Sequence, residues 1–326
     1  MASIQAEAVE TRSPAARAAS IMEVVSKRAY PLSDYLARRR DAPEWFSRAV
    51  SRRPRRRRVE VDGAGIELLT WGRAKAPGLL FLHGSGGNAG WWSFIAPFFA
   101  DNYRCAAISW SGMGGSDHRP AYSAEQYARE VSAAIDAAGF AGGSQGVIVI
   151  AHSFGGYPAL IAGSNDPRIA GIALIDTLIL PMALGDRPQL PPEREHPIFS
   201  TLPEALSRFR LIPVNDVDND FVVDWIARQS LRRVRGGWSW RSDPSLMTKM
   251  TRFDLAGHLP LETCRLAYLR GEISALVEAY EEPELRALLG NDAPLVTVPG
   301  AGHQVLIDQP LALVDALAKF LAQWPG

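Results

Sequence analysis

The chain has 326 residues, 47% hydrophobic and 21% charged, with 35 basic and 35 acidic side chains. That composition excludes global disorder and fits one large globular domain or two modest ones. No uncharged apolar run reaches the roughly 18 residues of a membrane span, and Met1–Ser20 lacks the apolar stretch of a secretory signal, so a soluble cytoplasmic protein is expected.

The zero net charge is unevenly spread. Residues 1–58 carry 14 Lys or Arg against 6 Asp or Glu, which leaves 21 against 29 for the rest of the chain. A basic arm over residues 1–56 is therefore expected to dock on its own acidic body or on a second copy, with Ile21–Val25 and Trp45-Phe46 as apolar anchors. The cap described below offers a second face for such a homodimer. Six of the seven residues Arg52–Arg58 are arginine, but no aromatic interleaving or helix-turn-helix pattern accompanies them. Neither a nucleic-acid partner nor a membrane partner is expected.

In chain order, Arg57–Val61 and Ile66–Trp71 flank Asp62-Gly63-Ala64-Gly65 and read as a hairpin. Leu79–Leu82 is a buried strand, Trp91–Ala100 helical or irregular, and Arg104–Ser109 a strand. Ser123 caps a helix to about Ala138, and strand Gly146–Ile150, helix Gly155–Gly163 and strand Ile169–Ile175 follow. Such alternation predicts a parallel sheet with helices on both faces. It fails between Leu178 and His258, where Pro-rich loops surround short helical stretches at Glu204–Phe209 and Phe221–Arg233 and suggest an inserted helical module. It resumes with strand Arg265–Leu269, a helix near Glu284–Leu289, strand Leu295–Val298 and a helix from Pro310 to about Trp324. Cys105 and Cys264 lie in or beside interior strands, which favours buried thiols over a disulfide.

Three stretches carry chemistry. In Gly146-Val-Ile-Val-Ile-Ala-His-Ser-Phe-Gly-Gly156 an apolar strand runs into a serine with small residues at −2 and +2, Ala151 and Gly155, and then into a helix. A tight strand-to-helix turn of this kind projects Ser153 above the sheet as a nucleophile and aims the Phe154 N–H at a bound carbonyl oxygen. The glycine-rich Phe81-Leu-His-Gly-Ser-Gly-Gly-Asn-Ala-Gly-Trp-Trp92 has two readings. A dinucleotide-binding turn needs an acidic residue after the next strand, where this chain has Ser109. An oxyanion loop needs close backbone approach at Gly84 and a second donor, the Ser85 N–H. In Val298-Pro-Gly-Ala-Gly-His303 a glycine turn beyond the last strand holds a histidine able to act as general base.

These stretches, with Ile108-Ser-Trp-Ser-Gly-Met-Gly-Gly-Ser-Asp117, resemble the α/β-hydrolase superfamily over residues 57–178 and 259–326. The resemblance implies an α/β fold: an eight-stranded, mostly parallel sheet with helices on both faces and a helical cap, here residues 179–258, inserted after the sixth strand. Gly236-Gly-Trp-Ser-Trp-Arg-Ser-Asp-Pro244 also looks like caps of bacterial members that hydrolyse esters, lactones or carbon–carbon bonds. Many members place the triad acid after the seventh strand, where this chain has Ser274. Other members place it at the end of the sixth strand, which here is Asp176, 23 residues past the serine. Glu272 is the alternative.

Serine as nucleophile excludes the alkyl-enzyme chemistry of haloalkane dehalogenases and epoxide hydrolases. The expected activity is cleavage of a small hydrophobic ester or lactone through an acyl-enzyme, with no metal or cofactor. Trp91, Trp92, Met113, Phe154, Trp225, Trp238 and Trp240 are the expected pocket walls. A carbon–carbon hydrolase remains open, with Arg232, Arg233 or Arg235 facing the substrate's carboxylate. So do a thioesterase or acyltransferase and a non-catalytic binding protein.

Overall fold

The computed structural model describes residues 32, 41–142, 146–179, 195–213, 218–251, 264–276, 282–290 and 292–324. The anchor expected at Ile21–Val25 lies outside them, as do residues 180–194, 214–217 and 252–258 of the expected cap.

Helix α1 (Glu44–Ser51) is followed by β1 (Arg55–Val61), β2 (Ala64–Trp71), β3 (Gly78–Leu82), β4 (Arg104–Ile108), α2 (Ala124–Ala138), β5 (Val147–His152), α3 (Gly156–Asn165) and β6 (Ile169–Ile175). Then come α4 (Leu202–Ser207), α5 (Asp220–Gln229), β7 (Leu231–Val234), β8 (Gly237–Trp240) and α6 (Leu246–Lys249). The chain closes with β9 (Arg265–Gly271), α7 (Glu282–Leu289), β10 (Leu295–Val298), α8 (Val305–Asp308) and α9 (Pro310–Gln323). Eight strands form one sheet in the order β1-β2-β4-β3-β5-β6-β9-β10. Strand β2 runs antiparallel to both neighbours, and the other pairings are parallel.

The expected α/β fold with its eight-stranded, mostly parallel sheet is therefore present. Strands β3 and β6 are apolar throughout because both faces of the sheet are covered. Side chains alternate across the pleat: Leu79 and Phe81 enter one core with Ile150, Leu313 and Phe320, while Leu80 and Leu82 enter the other with Val149, Tyr127 and Leu160. Helix α2 starts where the Ser123 hydroxyl accepts the Gln126 N–H at 3.1 Å and ends at Gly139, φ 73°. Cys105 and Cys264 are free and buried. Among the described residues no helix is long and apolar enough to cross a membrane.

Three local expectations are corrected. The hairpin turn is Asp62-Gly63 alone, because Ala64 and Gly65 already pair with Val61 and Glu60. The arginine run is structured from Arg55 as sheet-edge strand β1, where Arg56 pairs with the buried Glu67 and Arg58 with Asp117 at 2.6 Å; charged side chains on an edge strand also discourage pairing with another chain. The helix expected over Phe221–Arg233 stops at Gln229, and its last residues join a β7–β8 hairpin, so the inserted module is not purely helical. Before it, Trp91–Ala100 makes two short 3₁₀ turns, Ala89–Trp92 and Ala96–Phe98. The last part of the basic arm docks on the body: Phe46 is buried, 5.0 Å from the Phe221 ring and 5.8 Å from the Phe94 ring.

Candidate active site

Strands β5 and β6 end in register, His152 opposite Ile175, so Ser153 and Asp176 emerge side by side. Both have left-handed backbone, φ 53° and 48°, a conformation uncommon for residues with a Cβ. After Ser153 the chain makes one 3₁₀ turn and enters α3. A side chain at Gly155 would stand 2.8 Å from the His83 carbonyl, so only glycine fits this close crossing of β3. At −2, Ala151 packs fully buried between Leu82 and Leu174, and its methyl is accommodated.

The loop after β3 lies against this turn. A Cβ on Gly84 would sit 3.1 Å from Ser153 Cβ, and the loop folds back through a Gly87 N–H to Gly84 carbonyl bond of 3.2 Å. Ser85 is exposed at its tip. Polar anchors fix the rest: Ser109 Oγ accepts the Ala89 N–H at 3.0 Å and donates to Glu67 Oε2 at 2.6 Å, and the Asn88 amide donates to Ser230 Oγ at 3.2 Å. His83 accepts the Trp110 N–H on Nε2, which leaves its Nδ1–H for the Gly84 carbonyl at 2.7 Å. Burial lowers its pKa to about 4, so it stays a neutral strut.

Asp176 is completely buried. Its Oδ2 faces His303 Nδ1 at 2.7 Å and accepts the Ser274 hydroxyl at 2.5 Å, while Oδ1 accepts the Gly271 N–H at 2.9 Å. Three donors thus hold one carboxylate at the ends of β6 and β9, the arrangement in which a buried acid is tolerated. Glu272 is exposed and accepts the Gly300 N–H at 2.8 Å, so it braces the histidine loop instead of meeting the imidazole. The loop is further fixed by the Gly302 N–H on Asp308 and by His152, whose Nε2 donates to the His303 carbonyl at 2.9 Å. Burial, reinforced by the neighbouring His303, lowers the His152 pKa to about 3. It therefore adds no competing cation beside the Asp176–His303 pair.

The sequence profile of the alpha/beta hydrolase family matches residues 79–316. The chain belongs to the alpha/beta hydrolase family. It is 26% identical over 282 residues to the esterase Rv0045c of Mycobacterium tuberculosis, covering 80% of this chain and 88% of that one. It is 30% identical over 264 residues to the pimeloyl-[acyl-carrier protein] methyl ester esterase of Sodalis glossinidius, covering 74% and 92%. Among solved structures it shares its fold with an E-2-(acetamidomethylene)succinate hydrolase, at TM-score 0.66, 22% identity and 82% and 99% coverage.

In this alpha/beta hydrolase a cavity of about 640 Å³ lies between the Gly86-Gly87-Asn88 end of the loop and the inserted module. Phe199, Phe209 and Trp240 give it an apolar wall, and Arg208, Arg210, Arg241 and His196 a polar one. Of the expected pocket walls, Trp240 lines this cavity. Trp91, Trp92 and Met113 are instead buried in the two cores. Trp225 donates to Ser93 Oγ at 2.8 Å beside α1, and Trp238 lies under the Arg233 guanidinium at 5.5 Å. Phe154 is half-buried, edge-on to Tyr127. Arg232, Arg233 and Arg235 are exposed and do not line the cavity. Sequence reasoning missed His152 and the polar wall. His152 carried a signal, since it is the buried last residue of the nucleophile strand. Arg208, Arg210 and Arg241 carried none, being scattered over short elements of irregular period.

Proposed function

We propose that this alpha/beta hydrolase cleaves carboxylic esters, lactones included, through an acyl-enzyme on Ser153. One observation carries the reading: a buried carboxylate with three donors faces His303 Nδ1 at the strand ends where a left-handed Ser153 meets the Gly84 loop. The esterase names of the two relatives above support it.

With Nδ1–H held by Asp176, the imidazole presents unprotonated Nε2, the tautomer a general base requires. As Ser153 Oγ attacks the ester carbonyl, His303 takes its proton, and the Ser85 and Phe154 N–H groups receive the oxyanion. His303 then returns the proton to the leaving alkoxide, and the alcohol departs or, from a lactone, stays tethered to the acyl chain. Water attacks the acyl-enzyme by the same route and releases the acid. Asp176 stabilises the imidazolium formed in each half-reaction without taking its proton.

A fluorophosphonate probe is expected to label Ser153, and Ser153→Ala to lose roughly 10⁴-fold or more in kcat on 4-nitrophenyl esters while keeping its melting temperature. Labelling at another residue, or a fully active Ser153→Ala, would overturn the reading.

A further inference from the structure

The cavity above the glycine loop carries three guanidinium groups, Arg208, Arg210 and Arg241, against one carboxylate, Glu204. That carboxylate is engaged, since Glu204 Oε2 accepts the Ser200 N–H at 2.9 Å at the start of α4. The remaining titratable group of the wall, His196, has its pKa lowered chiefly by burial and holds the Ser242 carbonyl, and an imidazole carries no negative charge to offset the arginines. Among the described residues none of the three arginines has an acidic partner, whereas Arg52, Arg56, Arg58, Arg119, Arg129, Arg168 and Arg228 all form ion pairs. The acid that acts on Arg241, Glu67, is already tied to Arg56. Arg241 is also fixed in place, half-buried, with its Nε donating to the Leu231 carbonyl at 2.9 Å. That bond leaves its terminal nitrogens for a ligand.

An anchored, half-desolvated arginine with an empty fork binds a carboxylate or phosphate by paired, charge-assisted hydrogen bonds. Two further arginines at the exposed rim would draw the same charge in. The cavity is also close to the nucleophile, although neither Ser153 nor His303 lines it. Gly84 touches Ser153, and Gly86, in the cavity wall, is at most about 7 Å further along the chain. We propose that this cavity is an anion subsite, so that the preferred ester carries a carboxylate or phosphate several bonds from its scissile carbonyl. The intervening chain would lie on Phe199, Phe209 and Trp240. The inference rests on the esterase reading for its reacting bond, but the anion site itself does not.

Matched 4-nitrophenyl esters test it: the hexanoate, the half-ester of adipic acid, and an analogue of equal length ending in phosphate. The wild type is expected to favour an anionic ester over hexanoate by about tenfold in kcat/KM, chiefly through KM, as one charge-assisted contact supplies. The better of the two anionic esters identifies the group. Arg241→Gln, and independently the exposed pair Arg208→Gln/Arg210→Gln, should remove most of that preference and leave hexanoate turnover within about twofold. Equal turnover of neutral and charged esters, or parallel losses on both, would overturn the anion subsite while leaving the esterase standing. If no ester is cleaved, calorimetric titration with adipate and hexyl phosphate still decides. Binding that is lost in Arg241→Gln upholds the subsite and sinks the esterase reading alone, and no binding of either anion sinks the subsite as well.

Discussion

The strand ends and the inserted module solve opposite problems with polar groups. At the strand ends every oxygen of Asp176 is engaged, His303 is fixed from both sides, and the surrounding histidines are kept neutral by burial. Across the cavity, Arg208, Arg210 and Arg241 stand without acidic partners among the described residues. A group that must act on an intramolecular neighbour is saturated by the protein, whereas a group meant for a ligand is left incomplete. Variants of the first region should therefore act on kcat, and variants of the second on KM.

The largest effect is expected at the acid. Asp176→Asn keeps the shape but replaces an acceptor of the Nδ1–H with an amide that favours the wrong imidazole tautomer. It should cost roughly 10³ to 10⁴ in kcat with little change in KM. Glu272→Gln removes only a charge from the loop brace and should cost less than about threefold. Steady-state kinetics of the two on one ester decide between them, and a severe Glu272→Gln beside a mild Asp176→Asn would break the comparison.

A smaller effect is expected in the module. Trp240 packs edge-on to Phe199, 5.7 Å away, and 6.2 Å from Phe209. Trp240→Ala would remove most of the apolar wall and should raise KM for a medium-chain ester about five- to tenfold, with kcat within about threefold. A loss confined to kcat would show that the module shapes the reacting groups directly.

How much of each region was legible follows from the same contrast. The sheet could be read because apolar runs such as Val147–Ala151 recur between turn residues, and both cores demand them. The serine turn, the glycine loop and the histidine loop could be read because close backbone approach restricts the residues that fit. Asp176 was harder. Ser274 occupies the position expected of the acid in many members, and only the fold shows its hydroxyl donating to Asp176. The module resisted because its short elements bury few residues each and so imprint no period. The β7–β8 hairpin reads in sequence as helix end and loop, its turn at Arg235-Gly236 notwithstanding. Trp91 and Trp92 were placed in the pocket on chemistry alone, when their bulk was needed to fill the core beneath the glycine loop.

The smallest effect is on stability, and it separates the two kinds of polar group by the sign of their response to acid. His83 and His152 have folded pKa values of about 4 and about 3, below the ordinary 6.5. As pH falls below about 6.5 the unfolded chain takes up protons at these two sites that the folded chain refuses, so stability declines. Glu130, buried against Ser111 and Arg119, is pushed up to about 7 by burial. Between about 7 and the ordinary 4.5 the folded chain holds a proton there that the unfolded chain lacks, so acidification stabilises it. Two destabilising groups oppose one stabilising group, and the urea midpoint should fall modestly from pH 7 to pH 5. Glu130→Gln keeps a neutral, isosteric side chain but removes the opposing titration, so its midpoint should fall more steeply over the same interval. A variant slope no steeper than wild type would show that Glu130 is not raised in the fold, and a wild-type midpoint that rises toward pH 5 would show that the buried histidines are charged there. The neutral frame around Asp176 and His303 would then be lost.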